Sequence, residues 1–401
     1  MSEMLKDLKV LDITSNVAGP VASAMLADYG AYVIHVEKPV VGDDARNFPP
    51  KVDNVSLANS WLNRGKKSIT LDLKDPEAIA IIKRMLPEMD VLVESNRPGV
   101  MERLGLDYDT VKAINPGIVY CSISVFGQKG PYARRAGFDL IAQAFSGFMH
   151  LTGDPDGPPM KSNFAVGDFF GAINAFGSIM TALYYKQKSG VGQHIDVSLA
   201  RTLIYVNTPL DRINIGLDER RTGNHDPALC PYGVYEGKNG QNVVIAAQNP
   251  NFWAKLCKLM GREDMIEDPR YIDNVTRSKN RWDVIPVINA WLETFDDIND
   301  AAKLLDQEGI PNIRVFTHTD IVNDPHVKEM QWMVDVPVES TVTSIPTYLT
   351  RNVAAEFSEA PGSIRKCPTV GEDNYEVLTR YGLSQEEIDT LQNKWKTKLN
   401  A

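Results

Sequence analysis

From residue 9 to residue 124 short apolar runs alternate with amphipathic ones, and that alternation restricts the fold more than any other feature. Residues 9–14 (KVLDIT), 31–37 (AYVIHVE), 68–73 (SITLDL), 90–94 (DVLVE) and 118–124 (IVYCSIS) read as buried strands. Residues 20–29 (PVASAMLADY) read as a helix with Pro in its first turn, and Asp75-Pro76 caps and starts another, EAIAIIKRML. The pattern predicts an α/β chain: a Rossmann-like large domain with a mainly parallel sheet and helices on both faces. Ligands of such sheets bind where strands end and helices begin. Lys38, Lys74, Asn96, Arg97 and Arg103 all fall at or just after such places. Glu37 ends the second strand, where dinucleotide-binding folds carry a ribose-binding acid. The preceding turn, SNVAGP, is not the GxGxxG of those folds.

Residues 163–200 form the second constraining stretch, NFAVGDFFGAINAFGSIMTALYYKQKSGVGQHIDVSLA. Phe169, Ile173, Phe176, Met180 and Leu183 recur at spacings of three and four, which is one apolar helical face. Gly171, Ala175, Ser178 and Ala182 form a stripe of small side chains where another backbone can approach. A helix buried on most sides is expected, with Asp168 at or beside its N-terminus. Free N–H groups and the helix dipole there favour an ionised carboxylate. Two roles are open to it: a helix cap, or a carbonyl nucleophile in a site that excludes water.

After residue 225 the pattern changes. Residues 232–236 and 241–246, joined through Lys238-Asn239-Gly240, read as a hairpin, and helical patterns follow at 251–260, 282–294 and 299–308. The expected organisation is a large domain from residues 1–205 and 345–401, a small α+β domain at 225–330, and linkers at 206–224 and 331–344. A formal charge of −10 disfavours nonspecific binding to nucleic acid or anionic membrane. The longest apolar run, residues 169–185, is too short to span a bilayer and reads as core. The N-terminal residues lack the order of a signal peptide, and four scattered cysteines without a CxxC pair fit a reducing cytoplasm. Walker A, HExxH and GxSxG motifs are missing, and the six histidines show no metal-ligand spacing, so a metal site is not expected.

Several blocks in one order resemble the class III CoA-transferases, the formyl-CoA and carnitine CoA-transferase type. They include VLDITSNVAGPVASAMLADYGAYVIHVEKP, NRGKKSITLDLKDPEA, DVLVESNRPGVMERLGLDYDTVKAINPGIVYCSIS, GQKGPYARRAGFDLIAQAFSGFM, AVGDFFGAINAFGSIMTAL and the late EGIPNIRV. The resemblance implies a Rossmann-like domain built from both chain ends, a small central domain, and two protomers interlocked as a homodimer. It implies that Asp168 is the nucleophile. It also implies CoA contacts at Val17, Ala18, Lys38, Leu71, Asp72, Leu73, Lys74, Ser95, Asn96, Arg97, Arg103, Ala136, Gly137, Phe138 and Asp139. CoA thioesters and carboxylic acids would be the substrates, with no permanently bound cofactor. The formyl-CoA branch has Gln where this chain has Val17, and a glycine run where this chain has NHDPALCPYG.

The chemistry so implied runs through an aspartyl anhydride and an aspartyl-CoA thioester, with oxyanion donors at Gly167 or in the SNVAGP turn. The racemases of the same fold carry His in an AGHD-like segment; here that segment is Ala136-Gly137-Phe138-Asp139, and Phe138 cannot relay a proton. A nicotinamide oxidoreductase and a noncatalytic acyl-CoA binding protein are the other readings. Arg46, Arg97, Arg212, Arg220 and Arg221 are candidates for a second carboxylate of a dicarboxylic substrate.

Overall fold

The structure, a computed structural model, describes residues 4–338 and 344–399. The chain forms two compact units, residues 1–148, 162–210 and 326–401 in one, and 149–161 and 211–325 in the other. The first unit begins with β1 (Lys9–Ile13), α1 (Ala18–Asp28), β2 (Tyr32–Glu37), β3 (Lys67–Thr70), α2 (Pro76–Met85), β4 (Val91–Glu94), α3 (Val100–Leu104) and β5 (Val119–Ser124). It continues with α4 (Asp139–Phe145), α5 (Val166–Ser189), β6 (His194–Ser198) and α6 (Leu199–Tyr205). The six strands lie in the order β3-β2-β1-β4-β5-β6, and every neighbouring pair is parallel. Strand order therefore reverses between β1 and β4, which makes the C-terminal ends of those two strands the topological switch point.

Successive strand residues point to opposite faces, and both faces are covered. Val10, Val33, Val91, Val93, Val119 and Cys121 share one core with α1 and α5. Leu11, Ile34, Leu92 and Tyr120 share the other with α2 and with helices from the end of the chain. Burial on both sides is why these strands read as near-continuous apolar runs.

In α5 it is the small stripe that is buried: Gly167, Gly171, Ala172, Ala175 and Ala182, with Ile179. A Cβ added at Gly171 would stand 2.4 Å from Leu199 Cδ2, so a larger residue has no space. Phe169, Phe176, Met180 and Leu183 pack half-buried against the same core. The helix expected to be buried on most sides is not: Phe170, Ile173, Tyr184 and Tyr185 are exposed. Its small side chains set the close face, and the bulkier row flanks that face half-buried, with Ile173 turned to solvent. By length and composition α5 could cross a membrane; here its small-residue face forms part of the core.

The second unit is an antiparallel sheet of β7 (Tyr232–Glu236), β8 (Asn242–Ala246) and β9 (Asn312–Arg314), ordered β9-β8-β7. With it pack α7 (Pro250–Leu259), α8 (Arg281–Leu292) and α9 (Ile298–Gln307), around Tyr235, Ile245, Trp253, Leu256, Ile288 and Leu305. Arg277 is wholly buried there. It donates to the carbonyls of Cys230, Tyr271 and Gln248 at 2.9, 2.8 and 2.5 Å, which satisfies a cation without a carboxylate. Residues 149–161, expected in the large domain, belong to this unit, because the Arg221 guanidinium holds the carbonyls of His150, Asp154 and Gly157.

The chain returns to the first unit through β10 (Met333–Pro337), which pairs antiparallel with β11 (Thr347–Arg351). Strand pairing thus claims part of the expected 331–344 linker, of which residues 339–343 lie outside the described residues. The expected 206–224 linker is divided after Leu210. Finally α10 (Asn374–Arg380) and α11 (Gln385–Leu399) dock beside β3. Ser68 N–H donates to Asp373 Oδ2 at 2.8 Å, Thr70 Oγ1 meets Gln392 Oε1 at 2.7 Å, and Trp395 Nε1 donates to Asp75 Oδ2 at 2.8 Å.

Candidate active site

Two adjoining cavities open at the C-terminal ends of the parallel strands. The larger, about 500 Å³, is lined by Thr14 and Ser15 after β1, Lys38 after β2, Leu71 to Lys74 after β3, Asn96 after β4, and Trp395. That volume suits a cofactor-sized ligand. The smaller, about 110 Å³, is lined by Ser15 to Gly19, Ser95 to Arg97, Arg135, Gly137, Phe138 and Asp168. Ser15 and Asn96 belong to both, so the cavities meet at the switch point.

The turn after β1 is held from beneath by buried charge. Asp12, Lys66 and His35 are essentially without solvent contact. Asp12 Oδ2 accepts from Lys66 Nζ at 2.8 Å and Ser23 Oγ at 2.6 Å, and lies 3.0 Å from His35 Nδ1. Its Oδ1 accepts the Thr14 N–H at 3.0 Å. Burial opposes ionisation of Asp12, yet Lys66 and His35 hold its carboxyl well below the usual range. Burial would likewise depress His35, but the Asp12 carboxylate prevails and pushes it up to about 9. Beyond them Asp43 accepts the Asn16 N–H at 3.1 Å, and Asn16 adopts a left-handed φ of 71°, which Asn tolerates. Glu37, on the dinucleotide-fold ribose position, is occupied by Arg46 at 2.8 Å and Ser68 at 2.6 Å. Gly19 is required by space: a Cβ there would lie 2.4 Å from Thr14 Cβ.

Asp168 lies in the first turn of α5, three residues beyond its N-cap Ala165. It is not the cap. That task falls to Asp139, whose Oδ1 accepts the N–H of Gly167 at 2.7 Å and of Asp168 at 3.3 Å. Among the described residues no donor bonds the Asp168 carboxylate. Burial first, and the Asp139 carboxylate second, push its carboxyl up to about 7. The expected stabilisation of its ionised form by the helix terminus is thereby reversed, because another carboxylate has taken the N–H groups.

The residues singled out from sequence divide as follows. Lys38, Leu71, Asp72, Leu73, Lys74 and Asn96 line the larger cavity. Val17, Ala18, Ser95, Asn96, Arg97, Gly137 and Phe138 line the smaller with Asp168. Arg103 sits on α3, beside the Val100 and Leu104 that line the larger cavity. Ala136 and Asp139 line neither. Lys38 Nζ is paired with Asp44 at 2.6 Å, whereas Lys74 has no ion pair among the described residues. Gly167, considered as an oxyanion donor, is committed to Asp139. In the SNVAGP turn, Ser15 N–H goes to Ser95 Oγ and Asn16 N–H to Asp43. The first turn of α1 remains: its N-cap Val17 provides no side-chain cap.

Of the five candidate arginines, Arg46 is held by Glu37, Arg212 by Glu219, and Arg221 by backbone carbonyls. Of the five, Arg97 lines the smaller of the two cavities. Sequence reasoning passed over Arg135, which lines that cavity and stacks its guanidinium over Tyr132 at 4.9 Å and Phe126 at 5.9 Å. Its signal was present in GPYARRAGFD, directly before the residues that were noted. Trp395 was also passed over, because nothing in the local pattern of α11 relates it to Asp75, the helix cap 320 residues earlier.

Sheet and cleft together define a doubly wound α/β protein with its cleft at the switch point. A sequence profile for CoA-transferase family III matches residues 5–374. The chain is 32% identical over 395 residues to succinyl-CoA–D-citramalate CoA-transferase of Chloroflexus aurantiacus, with 97% of each chain covered. It is 35% identical over 399 residues to succinate–glutarate CoA-transferase of Agrobacterium fabrum, covering 97% of this chain and 96% of that one. A CaiB/BaiF family protein from Brucella suis superimposes with a TM-score of 0.84 at 31% identity, over 95% of this chain and 100% of the other. The chain belongs to CoA-transferase family III. It is a CoA-transferase, an enzyme class that works on CoA thioesters.

Proposed function

We propose that this enzyme moves CoA between dicarboxylic acids through covalent intermediates on Asp168. The observation that carries the mechanism is a carboxylate, at the end of the switch-point cleft, that no donor among the described residues bonds. Its raised basicity favours attack on a carbonyl. Asp168 attacks the acyl-CoA thioester, forming a mixed anhydride and expelling CoA thiolate. The thiolate attacks the aspartyl carbonyl, releasing the donor acid and leaving an aspartyl-CoA thioester. The acceptor carboxylate then reverses both steps. The uncapped first turn of α1, at Ala18 and Gly19, is the candidate donor to each oxyanion. The nucleotide end of CoA would occupy the larger cavity, with Lys74 as the available cation.

Dicarboxylic substrates are supported by two relatives whose names specify succinate with citramalate or glutarate, and by Arg97 and Arg135 in the cavity with Asp168. Phe138, 70% exposed at that cavity, supplies no second acid–base group and so speaks against racemisation. A homodimer is part of the reading, supported by the exposed apolar row Phe170, Ile173 and Tyr184 of α5. Four buried free thiols suit a reducing cytoplasm.

Intact-mass and peptide mass spectrometry after mixing with succinyl-CoA tests the mechanism. An acyl or CoA adduct on the peptide bearing Asp168, lost in Asp168→Ala, is expected. Full transferase turnover by purified Asp168→Ala would overturn it.

A further inference from the structure

We propose that Asp139 is a positioning residue for CoA transfer: its carboxylate fastens the turn that presents Asp168, and Gln143 fastens Asp139. The proposal rests on Asp168 being the nucleophile. Asp139 Oδ1 accepts the N–H groups of Gly167 at 2.7 Å and Asp168 at 3.3 Å, while its Oδ2 accepts from Gln143 Nε2 at 2.6 Å. Gln143 is 1% exposed and reaches back to the same segment. Its Oε1 accepts the Ser162 N–H at 3.0 Å, and its Nε2 approaches the Phe164 carbonyl at 3.4 Å. The two side chains stand one turn apart on α4, on one face. From there they hold residues 162, 164, 167 and 168. A Cβ at Gly167 would lie 2.9 Å from Asp139 Oδ1, so a side chain at 167 would push the carboxylate off the turn.

The arrangement has a chemical consequence. A cap supplied from another helix leaves both Asp168 oxygens without a donor among the described residues and available for attack. It also sets two carboxylates at one helix terminus, and like charges at short range disfavour the doubly ionised state. Acylation of Asp168, or its conversion to the CoA thioester, makes that side chain neutral. The repulsion present in the resting enzyme is then relieved when the covalent intermediate forms. The other charged groups near Asp168 are Arg97, after β4, and Arg135, before α4, both on the cavity wall. The α1 helix brings no charge in its first turn, and α6 carries only Arg201, which is exposed.

Three proteins decide the question: the unaltered enzyme, Asp139→Asn and Asp139→Ala. Asn keeps an acceptor for the two N–H groups and discards the charge; Ala discards both. Each is assayed for kcat and KM from pH 5 to 9 with succinyl-CoA as donor and glutarate as acceptor, and for adduct on Asp168. Asp139→Ala should lose roughly 100-fold in kcat, the size of effect that follows loss of orientation, with a much smaller change in the KM for the CoA ester. Asp139→Asn should recover most of that loss and move the acid limb of kcat/KM down by about one pH unit. If Asp139→Ala does not fold, the acid limb of Asp139→Asn decides. An adduct in the unaltered enzyme, with an acid limb unmoved in Asp139→Asn, overturns the positioning role alone. No adduct in the unaltered enzyme removes the nucleophile assignment and this proposal with it.

Discussion

Replacing Asp168 by Asn should abolish activity and stabilise the protein. The carboxyl is held at about 7 rather than its ordinary 3.8, by burial and by Asp139. A rise of about three pH units, at about 1.36 kcal/mol each, amounts to about 4 kcal/mol against the ionised form. Asp168 retains some solvent contact, and screening reduces the penalty to about 2 kcal/mol. Between pH 4 and 7 the folded enzyme keeps a proton that the unfolded chain has released, so folding stability falls as pH rises through that window. Above it the penalty is constant. Asn carries no charge at any pH and escapes the penalty. At pH 8, Asp168→Asn should therefore be about 2 kcal/mol more stable than the unaltered enzyme, a rise of about 4 °C in Tm. At pH 4 the difference should vanish. Thermal and urea unfolding, followed by circular dichroism at the two pH values, measures both terms. A less stable Asn variant at pH 8, or the same gain at pH 4 and pH 8, would refute the reasoning.

Lys74→Ala should raise the KM for the CoA ester several-fold while leaving kcat nearly unchanged, since it removes binding common to ground and transition states. Lys38→Ala should do less, because Asp44 already engages that ammonium; steady-state kinetics on both variants gives the comparison, and equal KM values for Lys74→Ala and the unaltered enzyme would place the phosphates elsewhere. Transfer in deuterium oxide should leave the α-carbon of recovered acyl-CoA unlabelled, because CoA transfer moves no α-proton and Phe138 provides no base; deuterium incorporation at the rate of transfer, read by mass spectrometry, would contradict this.

The strand–helix alternation of residues 9–124 was legible because each strand is buried on both faces, while α2 buries one face and α1 announces itself by the Pro in its first turn. Even the strand ends were placed within a few residues, and with them the loops that line the cavities. The orientation of α5 was not legible. Sequence periodicity shows two stripes, and only packing against α1 and α6 decides that the small one turns inward. The role of Asp168 was half visible. Its place at a helix start could be read from GDFF, but a helix start needs a cap, and the cap is Asp139, 29 residues away in sequence. The buried group of Asp12, His35 and Lys66 escaped notice for a related reason. In KVLDIT and AYVIHVE a charged residue inside a strand looks like the solvated member of an alternation, until a neighbouring strand brings its counter-charge.

Trp395 on α11 lines the larger cavity and is tied to Asp75 at the start of α2. The ribosome therefore makes the floor of this cleft first and one of its walls last, with the whole second unit synthesised in between. During translation β1 to β6 must wait with the β3 edge uncovered. A nascent chain stalled after residue 330 would present an open strand edge and an incomplete cleft, which is the moment when a chaperone, or a second nascent chain, meets the least protected form of this protein.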